Sequence, residues 1–598
     1  MSLTNALLIG RSGLTASSLA IQTTGNNLAN AATPGYSRQS VGLVPSQDTR
    51  SGGNFVGRGV EVQSIRRQID TALQGRLLGS RSAEAGASTD YTSLASTEGL
   101  LDDTTGRGLG TQLSNFFNSW SELANSPNLG GARSLVVQQG RQLAGYVQNL
   151  RSELTNQRTA MDRDLKTASL RANSLLGEIA DINEAVVTAE NGVSSANGLR
   201  DRRDSLISEL AQFMDISTYE QSSGAMDIHV GSTPVVLAGS SRGVRFVSDA
   251  SGSSTTVRIQ TTDNAETLTI RSGKIGSLLG QRDTLVNDAI STLDSLATNL
   301  IDRVNKAHSV GMAAQPFTGF TGTRTVGVAD RTLAMNDPAN LTFAAMANSP
   351  IRPQSGSFLV TVKNLQTGVT ESSRITIDLD GVDSTLTPGF GNDTSASSLA
   401  AGIDALSNVT STLTSDGRLK IDAGAGYSIS FADDTSGVLA AMGVNTYFQG
   451  SDATDIAVRA DLVASPTLLA TGSMVVRSAG SLLAANVATE GDRIDNGTAL
   501  SIAQIRDMSI GALGNTTLAD HWGQATSGIS VRTAGARTAF ESAQTVRESL
   551  DSQRSSVSGV STDEEAINLL NYQRQYQASA RLISVVDELT QQLLSLVR

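Results

Sequence analysis

Residues 3–36 read LTNALLIGRSGLTASSLAIQTTGNNLANAATPGY, and the spacing within them sets the expectation for the whole chain. Leu7, Leu14, Ile21 and Leu28 fall one heptad apart, with Leu3, Gly10, Ser17 and Thr24 at the intermediate positions. A 3.5-residue repeat with one bulky edge and one mostly small edge predicts an amphipathic helix that a partner helix can approach closely. The same stripe also suits an ordinary core-facing helix. Asn26, Asn27 and Asn30 are poor helix-interior residues, so their carboxamides are expected to bond to backbone or to a neighbouring chain. The helix should stop near Ala31 and Ala32. Thr33-Pro34-Gly35-Tyr36 follows, with Pro and Gly at the two central positions of a type II turn.

The other end mirrors this one. Thr562 is placed to cap a helix, with Asp563 and Glu564 in its first turn and Glu565 at the capping-box position. From Asp563 to Arg598 the chain runs 36 residues without Gly or Pro, a helix of ~54 Å at 1.5 Å per residue. Leu582, Val586, Leu589, Leu593 and Leu596 step by four and three along it. Neither end can bury so narrow a seam alone. The expected solution is that the two pair, Leu7, Leu14, Ile21 and Leu28 against Leu582 to Leu596, or that each pairs with copies of itself.

Between the ends, Leu143, Val147, Leu150, Leu154, Gln157, Met161, Leu165, Ala168, Ala172, Leu175, Ile179, Ile182 and Val186 form one row, with a stutter at Met161. No Pro falls between Gly131 and Glu190, which predicts a single rod-like helix of ~90 Å. A further amphipathic helix is expected at about 276–308, with Val286, Leu293, Leu296, Leu300 and Val304. Strand patterns are confined to two places. One is 226–270 (228–230, 234–237, 244–247, 257–259 and 268–270); the other is 326–460, with runs at 358–362, 375–377, 419–421 and 429–431. The expected fold is mainly α with β insertions, a long antiparallel helical shaft with paired terminal coiled-coil helices and an inserted β-rich outer domain. Its parts would be 1–40 with 546–598 for assembly, 41–225 with 271–325 and 461–545 for the shaft, a β-hairpin subdomain at 226–270, and an acidic β-rich outer domain at 326–460.

The chain has 598 residues, no cysteine, 57 glycines and a net charge of −12. The missing cysteine excludes a disulfide scaffold, a thiolate zinc site and a cysteine nucleophile. Acidity argues against nucleic acid as a partner. Residues 351–460 hold 6 basic and 12 acidic residues, whereas no acidic residue precedes Asp48. No run of 18 apolar residues would insert in a membrane, and Ala6-Leu7-Leu8-Ile9 is too short for a cleavable signal. Gly239-Ser240-Ser241-Arg242-Gly243 matches a nucleophile elbow in letters only, since strand patterns flank it on both sides. His229, His308 and His521 are scattered, and Gly106-Arg107-Gly108-Leu109-Gly110 lacks the dinucleotide spacing. Asp378-Leu379-Asp380-Gly381-Val382-Asp383 hints at calcium, but its Gly stands at position four instead of six, so an Asp-Gly turn is the expected form. No catalytic residue, metal or cofactor is expected, and the chain reads as a non-enzyme.

The terminal motifs carry a resemblance. Asn26 to Arg38, with Thr33-Pro34-Gly35-Tyr36 intact and Ala32 where Asn is common, resembles the N-terminal signature of the flagellar axial proteins of rod, hook and junction. Ser561 to Leu570, then Tyr572-Gln573 and Tyr576-Gln577-Ala578-Ser579-Ala580, resembles the C-terminal signature of the hook-associated junction members of that family. Leu199-Arg200-Asp201-Arg202-Arg203-Asp204 and Gly273-Lys274-Ile275-Gly276 are similar to internal segments of the same members. The resemblance implies a self-assembling structural protein of the hook–filament junction, exported unfolded without signal cleavage and located outside the cell. Its implied partners are copies of itself, the hook protein, a second junction protein leading to the filament, and a cytoplasmic export chaperone. Leu7, Leu14, Ile21, Asn27, Leu28 and Asn30 would form the N-terminal assembly face. Asn568, Leu569, Tyr576, Leu582, Val586, Leu589, Leu593 and Leu596 would form the C-terminal assembly and chaperone face. Alternatives are a hook or distal-rod protein, or a surface-binding, adhesin-like module carried by 326–460.

Overall fold

A computed structural model of the chain describes residues 3–51, 54–101, 106, 108–190, 195–251, 254–346, 349, 351–383, 385–473, 475–477, 487–489 and 495–596. The fold is mainly α with β insertions. It divides into two compact units, one of Met1–Ala95, Thr159–Asp283 and Arg532–Arg598, the other of Ser96–Arg158 and Thr284–Val531. Arg107 of the glycine-rich run and the side chain of Leu596 lie outside the described residues.

In the first unit the two terminal helices, Leu3–Ala29 and Thr562–Leu596, pack along each other. The chain leaves the first helix into a hairpin, Gln39–Pro45 antiparallel to Val60–Arg67, capped by the shorter pair Thr49–Ser51 and Asn54–Val56. Strands are therefore not confined to two places, and this stretch is not helical. Val60 and Val62 do alternate, but a bulge between Gly42 and Leu43 shifts the register, and no described residue of either strand is fully buried. A half-buried, phase-shifted ribbon leaves little periodicity in a sequence.

The rod-like helix is continuous over Gly130–Glu190. From 159 onward it buries Met161, Leu165, Ala168, Ala172, Leu175, Ile179 and Val186 within the first unit, with Ile182 half-buried. Ile216–Glu220, Met226–Val230, Thr233–Leu237 and Ser240–Ser241 make a four-stranded antiparallel sheet in chain order, and Val244–Ser251 pairs with Ser254–Thr261. Ser240 and Ser241 thus sit in a hairpin strand, with no helix behind them. Leu268 to Ile270 is not a strand. Leu268 and Ile270 are buried, but the backbone offers only a Gln260–Thr267 bridge and a Leu268 N–H bond to the Ile259 carbonyl. Burial of apolar residues without a ladder explains the misread pattern.

In the second unit the same long helix buries Leu143, Val147, Leu150 and Leu154. The helix expected at 276–308 runs as Gly273–Gln281, which belongs to the first unit, a π-turn Arg282–Val286, and Asn287–Ser309 of the second. Its expected apolar row is buried: Val286, Leu293, Leu296, Leu300 and Val304. The helix Leu109–Asn125 supplies Phe116, Phe117 and Trp120 to an aromatic cluster with Tyr447, Phe448 and His308. Gly140 is required there, because a Cβ would stand 2.0 Å from the Tyr447 hydroxyl, which donates to the Val136 carbonyl at 2.8 Å.

The β-rich segment centres on Gly356–Asn364, flanked by Thr370–Ile377 and Tyr427–Ala432, while Leu419–Ala423 lies between Gly319–Thr321 and Val409–Leu413. Each expected run at 358–362, 375–377, 419–421 and 429–431 is in a strand. The intervening helix Ala396–Asp404, which the strand pattern did not reveal, starts on a reciprocal Ser395–Ser398 capping box. Phe358, Val360, Phe431, Leu399 and Ile403 share its core.

Two buried titratable groups of this unit oppose each other. The His308 ring is bracketed by the Asn445 carbonyl at 2.7 Å and the Ala470 N–H at 3.1 Å, which fixes a neutral tautomer protonated on Nδ1. Burial pushes its pKa down to about 4. Asp302, bonded by the Ser349 hydroxyl, is pushed up to about 6, chiefly by burial. Between pH 6.5 and 4 the unfolded chain takes up a proton at His308 that the folded chain refuses, so acidification destabilises. Between about pH 6 and 4 folded Asp302 holds a proton that the unfolded carboxylate lacks, so acidification stabilises. Asp302→Asn should remove that offset. Unfolding free energies from urea titrations between pH 7 and 4.5 should then fall more steeply in the variant, by about 2 kcal/mol over the range, and Asp302→Asn with His308→Gln should restore a shallow slope.

Candidate assembly site at the paired ends

The terminal helices meet through their small residues. An added Cβ would lie 2.8 Å from Ile583 Cγ1 at Gly10 and 2.7 Å from Ser579 Oγ at Gly13. Ala16, Ser17, Ala20, Thr23, Thr24 and Asn27 continue the buried face. Opposite them, Glu565 and Val586 are buried, and Leu569, Tyr572, Ser579 and Ile583 are half-buried. Gly10 beside Ile583 and Asn27 beside Glu565 make the pair antiparallel.

The pairing exists, but through the other edge from the one expected. Leu7 and Leu28 are 43% and 40% exposed, Leu14 and Ile21 half-buried. On the C-terminal helix Leu582, Leu589 and Leu593 are 38%, 45% and 51% exposed, and of that row Val586 alone, among the described side chains, is buried. Two causes act together. The glycine and alanine edge lets the backbones approach more closely than leucine would allow, so the bulky row lies off the contact line. The register also leaves Leu593 ten residues beyond Ile583, whereas only seven helical residues precede Gly10. Asn568 is half-buried and Tyr576 exposed.

The turn forms as expected, with the Tyr36 N–H donating to the Thr33 carbonyl at 3.2 Å and Gly35 at φ +85°. Thr33 and Pro34 are exposed. What the turn achieves is the return of Tyr36, Arg38 and Gln39 to the helix end. Asn27, 1% exposed, spends all its bonding capacity there. Its Nδ2 donates to the Gln39 carbonyl at 2.8 Å and to Glu565 at 3.1 Å, and its Oδ1 accepts from the Tyr36 hydroxyl at 2.8 Å and the Gln39 N–H at 3.0 Å. Arg38 closes the ring onto Glu565 at 2.7 Å and reaches Glu564 at 3.0 Å. Asn30 has a local task instead, donating to Asn26 and accepting from the Thr33 hydroxyl. Burial, with Asp201 and Glu565 nearby, pushes the Tyr36 hydroxyl up to about 12.

Glu565 is therefore not a capping-box residue. The helix begins at Thr562, the preceding Ser561 hydroxyl accepts from the Glu564 N–H at 3.4 Å, and the Glu565 side chain is drawn inward by Arg38 and Asn27. The arrangement extends to the helix Asn197–Phe213, where Asp201 accepts from the Ser37 N–H and pairs with Arg67 at 2.9 Å; Arg67 also holds Asp204 at 2.7 Å. Gly10 belongs to the small edge expected to admit a partner helix; the pairing of Arg38 with Glu565 and the contact of Gly13 with Ser579 have no counterpart among the expectations. Arg38 had one signal, being one of two charged residues before Asp48.

Three family models match this chain: "Flagellar hook-associated protein FlgK helical domain" over residues 94–322, "Flagellar basal body rod FlgEFG protein C-terminal" over 551–596, and "Flagella basal body rod protein" over 7–36. Flagellar hook-associated protein 1 of Salmonella typhimurium is 24% identical over 595 residues, 98% of each chain. The protein of that name from Bacillus subtilis is 33% identical over 222 residues, 36% of this chain and 44% of its own. Among solved structures, the flagellar hook junction protein FlgK from Burkholderia pseudomallei matches with a TM-score of 0.51 at 14% identity, covering 81% of this chain and all of that one, a likeness of fold.

Asn27→Ala should leave Glu565 and Tyr36 short of partners and cost about 1–3 kcal/mol locally. Gly10→Val should force the helices apart. Both should speed backbone hydrogen exchange in 3–45 and 562–590, while exchange in the second unit stays unchanged.

Proposed function

We infer that this chain, which belongs to the family of flagellar hook-associated protein 1, is a structural component linking the flagellar hook to its filament, outside the cell. The relatives matched end to end carry that name, and the model for the hook-associated helical domain spans the middle of the chain. The rod-protein models match only the two ends, so they speak for membership of the axial family and less for a hook or rod protein.

The observation that carries assembly is the apolar row left over by the terminal pair. Leu7, Leu28, Leu582, Val585, Leu589 and Leu593 remain exposed although their two helices already pack together. Exposed apolar side chains on a paired helical surface, four of them (Leu582, Val585, Leu589 and Leu593) successive at one-turn spacing, mark an interaction surface. Copies of this chain stacked side by side would bury it, and before assembly a cytoplasmic chaperone would cover the C-terminal part. Further partners we propose are the hook protein on one side of the zone and a second junction protein on the other. Within this reading the ends, 1–40 and 546–598, form the inner assembly part, 226–270 a subdomain, and 326–460 the outer part. No catalytic role is proposed, and the relatives are structural flagellar proteins.

Leu589→Asp with Leu593→Asp tests this directly. Both positions are exposed in the single chain, so its unfolding free energy from urea titration should change by less than about 0.5 kcal/mol. Junction assembly, scored as filaments retained on hooks of a strain expressing only the variant, should be lost. Normal filaments would sink the assignment of this row.

A further inference from the structure

Between the strand Thr370–Ile377 and the helix Ala396–Asp404, the chain folds back so that Asp378, Asp380 and Asp393 converge. One carboxylate oxygen from each lies within 4.8 Å of the others. Local spacing could not reveal this, since Asp393 stands fifteen residues from Asp378. Asp383, the third acid of the sequence run, is engaged elsewhere, accepting from the Thr385 and Thr387 backbone and hydroxyl groups. The loop ends are tied together: the Thr394 N–H donates to the Asp378 carbonyl at 2.7 Å, and the Asp378 N–H to the Thr394 hydroxyl at 2.9 Å.

A second observation concerns the oxygens themselves. Asp393 is only 7% exposed. Its Oδ2 accepts from the Gly381 N–H at 3.0 Å and from Asn336 Nδ2 at 2.6 Å, but its Oδ1 is buried and accepts from nothing. Oδ1 of Asn336, the amide that touches Asp393, is likewise buried without a donor. Asp378 and Asp380 each spend one oxygen on a neutral donor, Asn392 Nδ2 at 3.2 Å and the Val382 N–H at 2.9 Å. Among the described residues no arginine or lysine forms an ion pair with any of the three carboxylates. Like charges gathered in a partly buried site, beside oxygen lone pairs deprived of donors, cost free energy that a cation would recover.

We propose that Asp378, Asp380 and Asp393 form a calcium site in the β-rich segment. All three donors are oxygens, as a hard cation requires, and they come from two separate stretches of irregular chain. Calcium accepts six to eight oxygens in flexible geometry, whereas magnesium demands a near-ideal octahedron and keeps its waters. The exposed position of Asp380 leaves room for water ligands. Bound calcium would pin Asp393 to the Asp378–Asp380 turn. The inference stands on this cluster and is independent of the assembly reading.

Calorimetric titration of CaCl2 into the chelator-stripped full chain tests it. The expected result is one ion per chain with Kd about 10⁻⁴–10⁻³ M, the range of extracellular modules, with a calcium-dependent rise in Tm. Asp380→Asn, an exposed change, should weaken binding at least tenfold while the calcium-free Tm stays unchanged. Asp378→Asn with Asp380→Asn should abolish it. MgCl2 at the same concentrations should give a weaker response. The proposal is overturned by an absence of heat and Tm shift up to about 10 mM calcium, by binding that survives the double variant, or by equal response to magnesium.

Discussion

Glu565 is a carboxylate taken almost wholly out of water at the start of the last helix, and the closure of the two chain ends depends on how it is satisfied. Arg38, returned by the Pro34–Gly35 turn, supplies the charge, and Asn27 of the first helix a further hydrogen bond. A buried ion pair of this kind adds little net stability, because desolvation offsets most of the attraction, yet removing one partner is expensive. Its consequence here is register. A slip of one residue along either helix would strand Glu565 without Arg38 and Asn27. Close contact alone, made through Gly10, Gly13, Ser579 and Ile583, would discriminate poorly between neighbouring registers.

That division of labour explains what could and could not be read from the sequence. The long helix 130–190 was legible because its apolar row is buried from Leu143 to Val186, and a continuous burial stripe prints its period on the residues. The central strands of the β-rich segment were legible for the same reason. The hairpin 39–67 was not, because it buries no full face and carries a bulge. On the terminal helices the small edge was legible as a place of close approach, but the leucine rows were also set on the contact line, and the close backbone approach leaves most of them outside it. Asn27 was singled out correctly as a polar residue with a partner. Its partner Glu565 lies 538 positions away, and nothing local distinguishes a carboxylate that will cap from one that will be buried.

The distribution of aromatic residues follows the same logic. Residues 1–35 and 562–598 contain no Phe or Trp, whereas Phe116, Phe117, Trp120, Tyr447 and Phe448 crowd one cluster of the second unit. Large rings supply most of the burial a self-sufficient core needs. Ends packed through small side chains hold together with far less, so their order rests on the polar closure and on whatever covers the remaining leucines.

Those leucines set the scale of assembly. Each side chain of the exposed row has on the order of 1 kcal/mol still to gain from burial, and six of them are shared between two helices. One neighbour covering part of the row would recover only a few kcal/mol, less than the cost of immobilising a second large chain. A position between two neighbours recovers more while each added chain is immobilised once. If this row is the assembly surface proposed above, it would favour addition to chains already in place over association of free chains. The weakness of the terminal pair, its small residues and its uncovered leucines, is therefore what would confine assembly to the end of a structure already built.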